Sequence, residues 1–227
     1  MKEKIKKIIL SLGADVCGIA NIDRFTDTPQ GFSPNDIFVD CKSVIVFGIA
    51  LPKGLMQVDS RLIYGHFNNN SCQQVDTISF RAAKIIENKF GCYAVSIPCD
   101  GPYDFWDKNK MEGRGLISMK HAAVLAGVGT LGKSTLLINN RFGNLLTIGA
   151  ILTNLKLHSD ELCKGICIPE CKKCIDSCPV SAIKDGNVIQ KLCRNNTYDQ
   201  NSRGFDVVNC NNCRNVCPMG YGDNPNK

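Results

Sequence analysis

The spacing of apolar residues predicts a mixed helix and sheet region over the first two thirds of the chain. Residues 3–12 carry isoleucine and leucine three or four positions apart, which predicts an amphipathic helix ending at Gly13. The uninterrupted apolar run over residues 43–51 predicts a buried strand. The same criteria predict further helices and strands at residues 75–89 and 117–126, and at residues 15–20 and 91–97, respectively.

Proline, glycine and aspartate interrupt this pattern in two places. Residues 21–40 and 98–115 are rich in them, so we expect loops there. Residues 135–139 and 145–153 are apolar and flank the polar segment 140–144. This arrangement predicts that the two runs pair as a hairpin.

The distribution of cysteine divides the chain. There are 14 cysteines in 227 residues, and eight of them fall between Cys167 and Cys217. The apolar periodicity ends near residue 157. We therefore expect two domains, at residues 1–157 and 158–227. The net charge of +6 is too small to indicate a dedicated nucleic-acid binder.

The first residues predict where the protein resides. The apolar stretch near the N-terminus is too short and too interrupted for a signal peptide, and the chain has no run of about 18 apolar residues. We therefore expect a cytoplasmic protein that does not associate with a membrane. Disulfides are rare in that compartment, so the cysteine content indicates metal binding.

One cysteine motif occurs twice in the tail. CKKCIDSCP spans residues 171–179 and CNNCRNVCP spans residues 210–218, and both match C-x2-C-x3-C-P. This is the second half of the bacterial ferredoxin motif, whose last cysteine binds the other cluster. Cys167 supplies a fourth thiolate to the first motif, and Cys193 supplies one to the second. The tail therefore has enough ligands for two [4Fe–4S] clusters.

The ferredoxin pattern predicts interleaved ligand sets. The first set is Cys167, Cys171, Cys174 and Cys217, and the second is Cys178, Cys193, Cys210 and Cys213. Zinc is the alternative, because C-x2-C pairs also build zinc ribbons, although the C-P endings favour iron and sulfur. Cys163 is an alternative to Cys167, whose spacing from Cys171 departs from the ferredoxin motif.

A second motif has the composition of a phosphate-binding loop. Residues 127–134, GVGTLGKS, match G-x-x-x-x-G-K-[ST]. That loop requires a strand before it and a helix after it. Here the predicted helix comes first and a strand-like segment follows. We therefore favour a glycine-rich turn, with an ATP-coupled iron–sulfur protein as the less favoured alternative.

Two parts of the sequence together resemble a known family. Residues 116–155, with the turn AGVGTLGK, resemble the helix, turn and hairpin of epoxyqueuosine reductases. The eight-cysteine tail resembles the double-cluster domain of that family, and reductive dehalogenases share the combination. The resemblance implies an α+β fold, with a nitroreductase-like α/β N-terminal domain and a bacterial-ferredoxin-like two-cluster domain.

The resemblance also implies a function. Two [4Fe–4S] clusters would pass electrons from a flavodoxin or ferredoxin to base-off cobalamin, for a two-electron reduction of a small molecule or a modified base. An electron-transfer module that reduces a corrinoid or another protein is the alternative. The residues implied to bind the corrin or its phosphate-bearing tail are Ala126, Gly127, Gly129, Gly132, Lys133 and Ser134.

The chain departs from the family in two respects. The acidic proton donor has a near match only in Asp100, and reaching it requires an insertion of about a dozen residues relative to the family pattern. The printed sequence stops at Lys227, soon after the second motif. We therefore expect a short paralogue without the tRNA-binding extension of the longer members.

Overall fold

The computed structural model describes residues 1–223 except residues 102, 104 and 185. The helices are α1 (Lys2–Ser11), α2 (Pro34–Ile37), α3 (Arg61–Phe90), α4 (Met119–Leu125), α5 (Lys173–Asp176), α6 (Gln190–Thr197) and α7 (Asn212–Asn215). The strands are β1 (Val16–Asn21), β2 (Ser43–Ala50), β3 (Ala94–Ile97), β4 (Phe105–Asp107), β5 (Glu112–Arg114), β6 (Thr130–Leu131), β7 (Leu137–Ile138), β8 (Leu146–Thr153), β9 (Tyr198–Gln200) and β10 (Asp206–Val208).

A four-stranded antiparallel sheet of order β1-β2-β8-β3 organises the first part of the chain. Successive residues of β2 point to opposite faces. Val44 and Val46 pack toward helix α4, whereas Ile45 and Phe47 pack toward helices α1 and α3. Because both faces are covered, β2 is apolar at every core position and does not alternate with polar residues.

Most predicted elements are confirmed, with two exceptions. Helix α3 starts at Arg61, well before the predicted residue 75. The sequence pattern missed the N-terminal half of this helix because that half has no continuous apolar face. The predicted pairing of residues 135–139 with 145–153 is wrong. Strand β7 pairs with β6, and β8 lies between β2 and β3, where its long apolar run has a neighbour on each side.

The predicted loop at residues 98–115 contains a small hairpin, since β4 and β5 pair there. After β8 the chain crosses edge strand β1 and then enters the cysteine-rich part, whose helices α5 and α7 have only four residues each. The proposed boundary at residue 157 stays a prediction. Within the described residues, no helix combines the length and apolar composition that crossing a membrane requires.

Candidate functional site

Four cysteines line one small cavity in the tail. They are Cys167, Cys171, Cys174 and Cys217, the set that the interleaved ferredoxin pattern predicts. Short helix α5 presents Cys174, and Cys217 comes from the second motif, 43 positions further along the chain. Burial raises the pKa of both Cys174 and Cys217, and the other thiols of the set add to the rise. Their role as ligands stays a prediction.

The arrangement differs from a site for one ion. Among the described residues, no three His, Cys, Asp or Glu side chains converge closely enough to hold a single metal ion. The four thiols instead surround a space. This is what a [4Fe–4S] cluster requires, because each thiolate binds a different iron.

Three cysteines of the second predicted set are also neighbours. Burial raises the pKa of Cys213 to about 11, and the nearby Cys193 and Cys210 contribute to the increase. Cys174 of the first set acts on Cys213 as well, so the two sets are adjacent. This adjacency is the arrangement that electron transfer between two clusters needs.

The structure also locates the two remaining cysteines of interest. The thiol of Cys163 donates a hydrogen bond to the carbonyl oxygen of Gly127 at 3.0 Å, whereas Cys167 lines the four-cysteine cavity. The placement therefore favours Cys167 over Cys163 as a ligand. The sulfur of Cys178 accepts the backbone N–H of Ala182 at 3.2 Å, at the start of the link to the second motif.

A second cavity, of about 1020 Å³, lies between the sheet region and the tail. Cys193 of the second set is on its wall, and so is Asp100. The cavity exceeds the usual range for pockets that hold drug-sized ligands. Its lining combines apolar side chains of α4 and the adjacent loops with cations that include Arg24 and Lys120.

Asp100 and residues of helix α4 both line this cavity. Desolvation and Arg214 lower the pKa of Lys120, and the charges of Cys213 and Asp100 oppose that shift. The Lys120 ammonium donates to the backbone oxygen of Thr135 at 2.9 Å. Next to Lys120, the ring of His121 forms a 2.6 Å hydrogen bond with Ser118. Asp100 is exposed on the cavity wall, where a bound molecule could reach it.

The glycine-rich turn has contacts that differ from those implied by the family resemblance. A side chain at Gly127, which has φ +69°, would overlap the carbonyl oxygen of Glu161. A Cβ atom at Gly132 would lie 3.7 Å from the sulfur of Cys167. The ammonium of Lys133 donates to the carbonyl oxygen of Pro169. The absence of a side chain at Gly127 therefore lets the segment at Glu161 pack closely on the turn.

The turn packs against the first cysteine set and contributes one residue, Leu131, to the lining of the large cavity. In and beside the turn, the described residues that line the large cavity include Leu125, Leu131 and Thr135. The described lining includes none of the six predicted corrin-binding residues, Ala126, Gly127, Gly129, Gly132, Lys133 and Ser134. The last two line the four-cysteine cavity. Helix α4 precedes the turn and strand β7 follows it, so the strand, loop and helix of a nucleotide-binding P-loop are absent here.

Sequence analysis missed an aromatic cluster beside Cys193. The guanidinium of Arg194 lies 5.1 Å from the ring centroids of both Tyr103 and Trp106, and it donates to the Tyr103 hydroxyl at 3.1 Å. The two rings are stacked, with centroids 6.1 Å apart. These contacts join the loop at residues 98–115 to helix α6. No local sequence pattern predicts a contact between residues that are 91 positions apart.

Comparison with proteins of known name identifies two related groups. The chain is 24% identical over 259 aligned positions to an epoxyqueuosine reductase of Lactococcus garvieae, covering 99% of this chain and 71% of the relative. It is 28% identical to a tetrachloroethene reductive dehalogenase of Desulfitobacterium hafniense, covering 94% of this chain and 38% of the relative. A scan against family models finds no match.

Solved structures show the same fold. The epoxyqueuosine reductase of Streptococcus thermophilus superposes with a TM-score of 0.69 at 18% identity, covering 98% of this chain and 66% of that one. An epoxyqueuosine reductase solved with an epoxyqueuosine-modified tRNA stem loop gives a TM-score of 0.67 at 17% identity, covering 97% and 65%. The expected lack of a tRNA-binding extension has no support in these comparisons. In sequence, the chain is similar to epoxyqueuosine reductases and to a reductive dehalogenase, and it shares the fold of the epoxyqueuosine reductases.

Proposed function

We propose that the chain is an iron–sulfur oxidoreductase that passes electrons through two [4Fe–4S] clusters to cobalamin in the large cavity. The observation that best supports this proposal is the position of the two cysteine sets. One set surrounds a cavity of its own, and the second reaches the wall of the 1020 Å³ cavity through Cys193. The proposal includes a nitroreductase-like α/β domain at residues 1–157 and a ferredoxin-like domain at residues 158–227.

The donor chemistry fits iron–sulfur clusters. Burial raises the pKa of Cys174, Cys213 and Cys217, so these thiols stay protonated when no cation is bound beside them. Bound iron supplies the positive charge that deprotonates a buried thiol. The adjacency of Cys174 to Cys213 gives electrons a short route from the first cluster to the second.

The large cavity supports a bulky cofactor and a substrate beside it. When bound, cobalamin would supply the metal centre for a two-electron reduction. The apolar lining from Ile117, Ala122 and Leu125 would exclude water from its face. Arg24 donates to the backbone oxygen of Leu125 at 2.5 Å and, with Lys120, gives the cavity positive charge for a phosphate-bearing tail.

We assign Asp100 the delivery of a proton from its carboxyl group to the reduced substrate. Its place on the cavity wall supports this role. The chain between Asp100 and α4 contains the β4–β5 hairpin, which is the type of insertion that the match to the family pattern requires. For the substrate we favour a modified base, since one structural relative was solved with a modified tRNA stem loop, with a small molecule as the alternative. The net charge of +6 suits an acidic electron donor such as a flavodoxin or ferredoxin.

Iron analysis of a matched cysteine pair tests the clusters. Anaerobic reconstitution should give about eight irons per chain, as two [4Fe–4S] clusters require. Cys167→Ser should lower the iron content to about half, whereas Cys163→Ser, four positions away and outside the cavity, should leave it unchanged. One zinc per motif in the purified protein, or the opposite result for the two variants, would contradict the assignment.

Cobalamin titration tests the large cavity. The reconstituted protein should bind cobalamin at micromolar concentration, with the visible spectrum of the base-off form. Lys120→Met should weaken binding without loss of iron. Asp100→Asn should leave binding intact and lower the rate of substrate reduction by about 10²-fold or more. Asp27→Asn, which neutralises another carboxylate of the same lining, is the control. Full iron content with no cobalamin binding would leave the electron-transfer alternative.

A further inference from the structure

Two half-buried cysteines outside the tail lie close together, and one of them is on the wall of the large cavity. Cys72 lies within helix α3, and Cys99 lies two residues beyond the end of strand β3. The two thiols are close enough for each to shift the pKa of the other. Cys99 is part of the cavity lining, next to Asp100. The two cysteines share no spacing pattern, because only the tertiary fold brings the helix and the strand together.

Independent contacts hold Cys99 against the helical turn that carries Cys72. Asp76 stands four positions after Cys72 and thus on the same face of α3. Its Oδ1 accepts the backbone N–H of Cys99 at 2.9 Å. On the other side, the thiol of Cys99 donates a hydrogen bond to the carbonyl oxygen of Ile148 at 3.3 Å. These contacts fix the backbone of Cys99 beside the helical turn that carries Cys72.

The two thiols differ in acidity in a way that suits exchange chemistry. The neighbouring thiol of Cys99 lowers the pKa of Cys72, against the effect of burial. The neighbouring Cys72, together with burial, raises the pKa of Cys99. Cys72 therefore ionises first and is the nucleophile, since the thiolate is the attacking species.

We propose that Cys72 and Cys99 are a dithiol site that forms a reversible disulfide by exchange with small-molecule disulfides such as oxidised glutathione. The Cys72 thiolate attacks one sulfur of the small disulfide, forms a mixed disulfide and releases one thiolate. Cys99 then loses its proton to that thiolate and attacks the sulfur of Cys72, which releases the second thiolate. Two protein thiols are oxidised, and one small disulfide is reduced to two thiols.

The link has a consequence for the cavity wall. Asp100 follows Cys99 directly, so a disulfide ties the beginning of the Asp100 loop to helix α3. Oxidation should therefore restrict the loop, and reduction should release it. This consequence for activity rests on the role proposed above for Asp100. The disulfide itself requires neither cluster nor cobalamin.

Thiol trapping on the reconstituted full chain tests the site. The protein is equilibrated anaerobically with glutathione mixtures of increasing oxidised fraction, alkylated with N-ethylmaleimide and digested for mass spectrometry. We expect a cross-linked peptide that joins Cys72 to Cys99 to replace the two alkylated peptides, and dithiothreitol to reverse it. Full alkylation of both cysteines in the most oxidising mixture would overturn the proposal.

Variants separate exchange from general oxidation. In Cys99→Ser, Cys72 should stop at the mixed disulfide with glutathione, whereas in Cys72→Ser, Cys99 should stay alkylatable. Cys92→Ser is the control, because Cys92 is half-buried near the same sheet edge and its thiol faces the carbonyl oxygen of Ile86. It should leave the cross-link unchanged. Glutathione retained on Cys72 while Cys99 is intact would also overturn the proposal.

A hydrogen-exchange measurement tests the effect on the loop. Amides around Asp100 should exchange more slowly in the oxidised protein, and Cys72→Ser should abolish the difference between oxidised and reduced samples. Equal exchange in both states of the wild type would refute the restriction of the loop. Iron content and cobalamin affinity are measured on the same samples, so a failure of the proposed function is seen separately.

Discussion

Replacement of Asp160 by asparagine tests how the segment between the sheet and the cysteine motifs is attached. Asp160 lies on the stretch that crosses edge strand β1. Its carboxylate binds Lys2 at 2.9 Å and Lys6 at 3.0 Å, and it accepts the backbone N–H of Ile19 at 2.9 Å. Its own N–H donates to the Ile19 oxygen at 2.8 Å. One side chain thus joins α1, β1 and the start of the tail.

The contacts set the size of the effect. The lysine side chains are 29% and 23% exposed and Asp160 is 18% exposed, so each ion pair is partly screened and contributes about 0.2–1 kcal/mol. Asparagine can still accept from Ile19, but a hydrogen bond to a neutral acceptor is weaker than one to a carboxylate by about 1 kcal/mol. We therefore expect Asp160→Asn to lower the free energy of unfolding by about 2 kcal/mol.

Urea unfolding measures this loss. With a denaturant slope of about 3 kcal/mol per molar, the midpoint should fall by about 0.7 M. Far-UV circular dichroism of anaerobic, iron-loaded protein is a suitable probe. Asp23→Asn, at an exposed position on the turn after β1, is the matched control and should change the free energy by less than about 0.5 kcal/mol.

The effect should depend on pH in one direction. Burial would raise the pKa of Asp160, but the hydrogen bonds from Lys2 and Lys6 outweigh it, and the pKa is lowered. A carboxyl group whose pKa is lower in the folded state than its unfolded value of about 3.9 stabilises the fold at pH values above about 3.9. This stabilisation is lost as the pH falls through the pKa of the folded state. The difference between wild type and Asp160→Asn should be full at pH 7 and shrink below about pH 4. A midpoint equal to that of Asp23→Asn at pH 7 would refute the reasoning.

Three further changes follow from the packing. Phe47→Ala empties a fully buried site in β2 and should lower the free energy of unfolding by about 3–5 kcal/mol, measured by the same urea titration. Gly127→Ala places a methyl group against the carbonyl oxygen of Glu161 at a residue with positive φ, and we expect at least about 1–3 kcal/mol of destabilisation, seen as a lower midpoint of thermal unfolding. Arg194→Ala removes three cation–π contacts, to Tyr103, Trp106 and Tyr198, each of about 0.5–1 kcal/mol, and should increase quenching of Trp106 fluorescence by acrylamide; unchanged quenching would contradict a role in holding the loop.

The candidate site was predictable where its residues are close in sequence. The two C-x2-C-x3-C-P motifs identify the cysteines, because a loop that wraps one cluster needs its ligands within a few residues of each other. The same reasoning did not decide between Cys163 and Cys167, which differ only in how the chain folds around Gly127 and Gly132. The structure places Cys167 on the cavity wall, which favours it, and its role as a ligand stays a prediction.

The glycine-rich turn shows the same limit. The order of helix and strand around residues 127–134 could be read from the sequence, and the structure confirms it. The sequence did not show which group packs against the turn. Small residues permit close approach by a ligand and by another chain segment equally well. Here the turn packs against Glu161, Cys167 and Pro169.

The sequence by itself determined the local features of this protein: the buried strand β2, the helix before the glycine-rich turn, and two cysteine motifs with ferredoxin spacing. Each of these depends on periodicity or on ligands within one loop. Only the tertiary structure decided that β8 lies between β2 and β3, that Arg194 stacks on Tyr103 and Trp106, and that Cys72 meets Cys99. Those contacts join segments far apart in sequence, and their positions depend on how sheet and helices pack together.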